Sequence, residues 1–222
     1  LNLSQILVTL DYHIINKDGV LDFFHAYLRK AVETRYFIDS IEVKNSHKRL
    51  ANYFEKGQVT PRQMIELPYQ LQLAGEDDRL IQYISDSQFF LQVSPEQEIE
   101  LISYWVYLME NREELSPFHY YEDTLKKYRQ NASNIEVFTF IDKLCLFYMN
   151  MGRYDYTEKL AIREIPICIE ALGEEHPLVI KLLNHLSHCL NRMGKYKEAE
   201  GPTEKVVSLS KQAYGNEHRN TA

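Results

Sequence analysis

The sequence predicts an all-α protein of stacked antiparallel helix pairs, with one β-hairpin near its start. Three observations carry that expectation. First, the chain repeats itself at a spacing of 42 residues: Met151-Gly152-Arg153-Tyr154 returns as Met193-Gly194-Lys195-Tyr196, and Ala171-Leu172-Gly173-Glu174-Glu175-His176 returns as Ala213-Tyr214-Gly215-Asn216-Glu217-His218. The same offset pairs Val137 with Val179 and Leu144 with Leu186. A fixed period in this range is the mark of helix–turn–helix units that bury a continuous core only by stacking. Second, the 8 Gly and 7 Pro fall mostly where helices should start or stop. Third, long alternating runs are absent, and the one β signal is Asp18-Gly19 between two short apolar runs.

The elements follow in order. Leu3 to Leu10 reads as a helix with Leu3, Ile6, Leu7 and Leu10 on one side. His13-Ile14-Ile15 and Val20-Leu21-Asp22-Phe23 flank the turn, where Gly19 supplies the positive φ that a tight hairpin requires. A helix follows from about Phe24 to Phe37, and helix, hairpin, helix is the tail of a winged-helix unit. Asn45 and Ser46 are candidate caps for a helix carrying Leu50, Ala51 and Phe54 that ends at Gly57. Thr60-Pro61 opens the next, with Thr as N-cap and Pro in the first turn; Pro68 should kink or break it, and Gly75 should end it. Asp77-Asp78 begin a short helix through Leu80, Ile81 and Ile84. Ser94-Pro95 starts one with Ile99, Ile102, Trp105, Val106 and Met109 expected to face inward. Ser116-Pro117 starts one bearing Phe118, Tyr121, Leu125 and Tyr128. The regular pairs are then expected over Ile135–Asn150 with Tyr154–Leu172, and from Pro177 to Arg192 with Lys195–Tyr214. Gly152 and Gly194 sit at the turns within the pairs, and Gly173 and Gly215 should close the second helices as left-handed caps. Met109, 42 residues before Met151, points to an older, degraded copy, with Trp105 opposite Phe147.

Composition narrows the function. A net charge of -7 argues against a dedicated nucleic-acid or anionic-membrane surface. No apolar run reaches the length of a membrane span, and Leu1-Asn2-Leu3-Ser4-Gln5 is no signal peptide. Cys145, Cys168 and Cys189 form no Cys-x-x-Cys and read as reduced thiols of a cytoplasmic protein. The chain begins without Met and stops at Thr221-Ala222, where the period would open another helix, so a longer parent with further repeats is expected.

Leu182-Leu183-Asn184-His185-Leu186 and Leu190-Asn191-Arg192-Met193-Gly194-Lys195-Tyr196-Lys197-Glu198-Ala199-Glu200 resemble the tetratricopeptide repeat, in the subtype of kinesin light chains and nephrocystin-type proteins. In that subtype each unit ends in Leu-Gly-x-x-His-Pro, which Leu172-Gly173-Glu174-Glu175-His176-Pro177 matches in full. A second resemblance lies upstream. Asp18-Gly19-Val20-Leu21-Asp22-Phe23-Phe24-His25, His47-Lys48-Arg49-Leu50-Ala51-Asn52-Tyr53-Phe54 and Glu66-Leu67-Pro68-Tyr69-Gln70-Leu71-Gln72-Leu73-Ala74-Gly75 look like the segment after the nucleotide-binding core of NACHT-type signalling ATPases of the STAND class. Together these imply a tetratricopeptide-repeat helical superhelix with a small winged-helix remnant. Its parts would be the C-terminal part of a winged helix over 1–40, a helical spacer with degenerate pairs over 41–116, and repeats over 117–222.

The resemblances also nominate residues. His25 stands where the winged helix of that family places a nucleotide-sensing histidine; the plainer reading is a packing residue at the hairpin–helix junction. The first helices of tetratricopeptide pairs line a concave groove. In the second unit Leu183, Leu186, Leu190 and Met193 should be core, leaving Lys181, Asn184, His185, His188, Asn191 and Arg192 for the groove. The same offset places Thr139, Asp142, Lys143, Leu146, Met149 and Asn150 along the first unit. Asn184, by resemblance to the kinesin-light-chain subtype, would hydrogen-bond the backbone of an extended peptide, and the basic groups would favour acidic residues in it. The plain alternative is a solvated helix face.

Other constellations carry less. His185, His188 and Cys189 sit close together on one helix, but the two histidines are i,i+3 rather than the usual i,i+4 pair and no fourth ligand for a metal site is evident. No base is placed to activate Cys145 or Cys168. No Gly-x-x-x-x-Gly-Lys is present to cradle phosphates. Tyr104, Trp105, Tyr107, Tyr120 and Tyr121 read as aromatic core rather than a stacking platform for single-stranded nucleic acid, since no basic groove accompanies them. The Asn131-Ala132-Ser133 sequon has no secretory context. The expectation is therefore a non-catalytic scaffold without cofactor or metal, which binds a peptide or partner protein and no nucleic acid or membrane. It would form part of a larger nucleotide-switch protein and also contact its own upstream ATPase core. The alternatives are an intramolecular arm holding that core closed and a kinesin-light-chain-like cargo adaptor.

Overall fold

The computed structural model describes residues 13–17, 20–36, 39–56 and 60–214. The chain forms two compact units, Leu1–Leu80 and Ile81–Ala222. The helix expected over Leu3 to Leu10, and Gly215, lie outside the described residues.

In the first unit, β1 (Ile14–Lys17) and β2 (Val20–Phe23) pair antiparallel, with Ile14 opposite Phe23 and Lys17 opposite Val20. That register leaves a two-residue connection, the length Asp-Gly favours. The helix α1 (Ala26–Tyr36) follows. The next helix, α2 (Ser40–Glu55), begins before the expected caps Asn45 and Ser46. Asp39 caps it instead, accepting the Ile41 N–H at 2.9 Å, while Ser46 lies inside and donates to the Glu42 carbonyl. Asp at an N-cap satisfies an orphan N–H and places negative charge at the positive helix end, so it outcompetes the later candidates.

The helix α3 (Pro61–Ala74) starts and stops as its sequence dictates. Thr60 accepts the Gln63 N–H at 3.1 Å, and Gly75 turns at φ 70. Pro68 does not break it: the residue removes one ladder bond but is buried with Met64, Leu67 and Leu71. Burying those apolar side chains contributes about 1.5–3 kcal/mol each, enough to offset a missing rung. Hydrogen bonds from Gln63 Nε2 to the Phe54 carbonyl and between His47 and Gln70, both 2.7 Å, lock α2 and α3 antiparallel. The boundary between the units falls within α4 (Asp77–Ile84).

The second unit contains a short helix absent from the sequence reading. Asp86 accepts the N–H groups of Gln88 and Phe89 and so nucleates α5 (Ser87–Gln92). Then come α6 (Pro95–Asn111), opened by a Ser94/Gln97 capping box, and α7 (Pro117–Tyr128). Ser116 precedes α7 but makes no capping bond; its hydroxyl lies 3.0 Å from the Tyr156 hydroxyl. The two regular pairs are α8 (Asn134–Asn150) with α9 (Tyr154–Leu172), and α10 (Pro177–Arg192) with α11 (Tyr196–Tyr214). Gly152 and Gly194 take φ 72 and 76 at the turns within the pairs. Gly173 caps α9 with the positive φ expected of it, 92, but its ψ of 151 lies outside the left-handed helical conformation, and it leads into a turn closed by the His176 N–H on the Gly173 carbonyl.

The expected inward face of α6 is corrected. Leu101, Tyr104, Trp105 and Leu108 are buried, while Ile99 and Val106 are exposed. The helix carries two apolar arcs, and the ring-bearing arc wins because Trp105 Nε1 can donate to the Tyr121 hydroxyl at 3.3 Å, which in turn donates to the Ile84 carbonyl. Phe90, Tyr121 and Phe147 join Trp105 around this centre, with Phe90 and Tyr121 at 4.8 Å and Tyr121 and Phe147 at 5.5 Å. Of the tyrosines expected in the core, Tyr104 and Tyr121 are buried, Tyr107 is half-buried and Tyr120 is exposed. Polar links join α8 to the segment before it at separations of 50 and 52 residues, through Lys143 and Asn150, and not at 42.

Candidate protein-interaction surface

The first helices of the regular pairs, α8 and α10, lie side by side. Lys181 Nζ reaches Asp142 Oδ2 at 2.9 Å, and His188 Nδ1 lies 3.4 Å from Met149 Sδ, so the two helices run parallel one repeat apart. The core side of α10 is as expected, with Leu183, Leu186 and Leu190 buried and Met193 half-buried.

The nominated groove residues fall into two groups. Asp142 and His185 are 7% and 8% exposed and hold each other, with His185 Nε2–H donating to Asp142 Oδ1 at 2.7 Å. Burial alone would raise the Asp142 carboxyl; the hydrogen bonds from His185 and Lys181 outweigh it and keep it below the ordinary carboxylate range. Lys143 is half-buried and donates to the carbonyls of Leu91 and Val93 at 3.0 and 2.7 Å, closing the end of α5. Burial lowers its ammonium pKa. Asn150 donates to Glu98 at 2.9 Å. Arg192 donates to the Tyr154 hydroxyl at 3.2 Å and lies over that ring. Thr139 turns back onto the Ile135 carbonyl.

The second group is unengaged. Asn184 and Asn191 are exposed and have no side-chain partner among the described residues. Seven residues apart, they share one face of α10 about 10 Å apart along its axis. Leu146, 42% exposed, lies on α8 in the repeat position of His188. Sequence reasoning found this face but not its division, because the partners that occupy Asp142, Lys143 and Asn150 lie 39 to 52 residues away.

On the second helices a different network locks the array. Glu164, nearly fully buried, pairs with Arg129 and with Arg163 Nε at 2.8 Å, and Arg163 grips Glu122 through both terminal nitrogens at 2.7 and 2.8 Å. The Glu122 hydrogen bonds hold the Arg163 guanidinium pKa above its ordinary value. The adjoining hollow, lined also by Leu125, Lys126 and Ile167, holds no cation without a carboxylate partner, Lys126 being paired with Asp123. Cys145, Cys168 and Cys189 are free and buried, and burial raises all three thiols, the last two to about 11. None has thiolate character near neutrality.

His25 sits between β2 and α1 and offers its carbonyl to the N–H groups of Leu28 and Arg29. Its ring stacks on Tyr27 at 5.1 Å and meets Phe24 edge-on at 4.7 Å. Among the described residues no group of three His, Cys, Asp or Glu is disposed to hold a metal, and no helix is long and apolar enough to cross a membrane.

The first helices of the two pairs thus run parallel, and each pair turns at a glycine one period from the other. Residues 137–212 match the tetratricopeptide repeat. A TPR repeat-containing protein of Dictyostelium discoideum is 29% identical over 104 residues, which cover 46% of this chain and 6% of that protein. The chain thus spans a small fraction of the length of that curated relative. Two crystal structures of a putative kinesin light chain of Podosopora anserina, with nearly identical TPR-like repeats, align over 85% and 84% of this chain and 94% and 92% of their own. Both are 14% identical, with TM-scores of 0.43 and 0.42. None of these matches indicates a catalytic family.

Proposed function

We propose that this chain is a non-catalytic interaction scaffold that holds an extended peptide or partner-protein segment along the face shared by α8 and α10. The observation that carries it is the pair Asn184 and Asn191. Two exposed carboxamides without side-chain partners among the described residues stand on one helix face, with exposed Leu146 on the neighbouring α8, amid neighbours that are already engaged. A carboxamide offers both a donor and an acceptor, which suits a peptide main chain, and Leu146 offers a place for an apolar side chain. An acidic ligand residue would have to displace Asp142 from Lys181 or Tyr154 from Arg192, so acidic character adds little to affinity.

The wider setting we propose is an arm of a nucleotide-switch protein, following a NACHT-type core in the cytoplasm. Its support is the resemblance of residues 18–75, the hairpin with its following helix, and three reduced, buried thiols. In that setting His25, at the winged-helix junction, would face the nucleotide. The test of the groove is peptide-array binding by the full chain, compared with Asn184→Ala and Leu146→Glu. Loss of about tenfold or more in both supports the reading. Binding that survives both, or no binder at all, removes it and favours an intramolecular arm that holds the core closed.

A further inference from the structure

The exposed arc of α6 carries an apolar stripe that the reading of the α8–α10 face does not use. Ile99, Ile102, Val106 and Met109 follow one another at i, i+3, i+7 and i+10, so they form one continuous stripe on the helix. This stripe lies outside the core: Ile99 is 74% exposed and Val106 42% exposed, with Ile102 and Met109 half-buried beside them. The buried arc, Leu101, Tyr104, Trp105 and Leu108, already satisfies the packing of the unit. A helix needs one apolar stripe to hold its place, and α6 has two.

Charge identifies what covers the second. Glu96, Glu100 and Glu110 are exposed along the far edge of the stripe, and Glu113 and Glu114 follow just past the helix end. From Pro95 to Glu114 the chain carries Glu96, Glu98, Glu100, Glu110, Glu113 and Glu114 against Arg112 alone. A second copy of this surface would bring carboxylates against carboxylates, and an anionic lipid surface would be repelled in the same way. A helix with an apolar face and a lysine- or arginine-rich edge meets both features at once. We propose that α6 docks a basic amphipathic helix of a partner protein, with its apolar face on Ile99, Ile102 and Val106 and its cations along Glu96, Glu100 and Glu110.

The test uses the full chain and a synthetic leucine/lysine amphipathic peptide of about 18 residues, long enough to hold a helix, with its leucine/glutamate counterpart as control. Binding of the basic peptide should weaken about tenfold or more in Ile99→Ser/Val106→Ser and in Glu96→Gln/Glu100→Gln/Glu110→Gln. It should also weaken between about 50 and about 500 mM salt. The remote variant Glu174→Gln/Glu175→Gln should bind as the wild type does, which separates docking from general attraction to an acidic chain. Because the altered positions are exposed, unchanged helical circular dichroism should accompany each loss. The proposal falls if binding ignores the first two variants, if the acidic peptide binds equally, or if the basic peptide does not bind. It also falls if sedimentation shows a dimer, or flotation an association with anionic vesicles, that Ile99→Ser/Val106→Ser abolishes.

Discussion

Two helices of nearly equal length, α6 and α10, have opposite fates in the same unit. In α10, ten of 16 residues are buried, because α8, α9 and α11 all pack against it. In α6 only four of 17 are buried, and the helix is anchored through the rings of Trp105 and Tyr104. The difference teaches what the period contributes. Where the 42-residue frame holds, neighbours arrive on both sides of a first helix and cover most of it. Where it does not, large aromatics anchor one side and the other is left for something else.

That contrast is broken most directly at its aromatic anchor. Trp105→Ala should destabilise the chain by about 3–5 kcal/mol, since it empties a fully buried site and strips the Tyr121 hydroxyl of a donor. A urea unfolding midpoint checks it, and a loss under about 1 kcal/mol would show that α6 is not held this way. Next comes Glu164→Ala. It leaves Arg129 without its buried carboxylate while Arg163 keeps Glu122, and should cost about 1–3 kcal/mol by the same measurement.

A smaller and pH-dependent effect belongs to the first-helix face. The folded chain holds the Asp142 carboxyl below its ordinary value, so the stability it adds is complete above about pH 4 and is lost as pH falls through that lowered folded value. Asp142→Asn should therefore cost about 1–2 kcal/mol at neutral pH, with the gap from wild type closing under acid. Denaturant midpoints measured across that range would show a constant gap if the carboxylate were not responsible. Smallest of all is Ile99→Ser, which should shift stability by no more than about 0.5 kcal/mol, because the side chain is mostly in water.

Much of this architecture can be read from the chain. Thr60-Pro61 and Ser94-Pro95 mark real helix starts, and Tyr154–Leu172 and Pro177–Arg192 have the expected bounds, because capping chemistry and a repeated period act locally. The inward side of α6 is not legible, since a 3.6-residue period cannot choose between two apolar arcs of one helix. A six-residue helix such as α5 is too short to display a period at all. Of the interaction surface, the sequence reveals the stripe but not its occupancy. Whether Asp142 or Asn184 is available depends on side chains a whole repeat away, such as His185 for Asp142.

Asp142 and Asn184 occupy the same place in successive copies of the repeat. In the earlier copy the residue is a joint, mortared to Lys181 and His185 of the next; in the later copy, one atom exchanged for another, it stands open. A duplicated unit can thus divide the labour of a single position between cohesion and contact, with a carboxylate where the helices must be joined and a carboxamide where the same position faces outward.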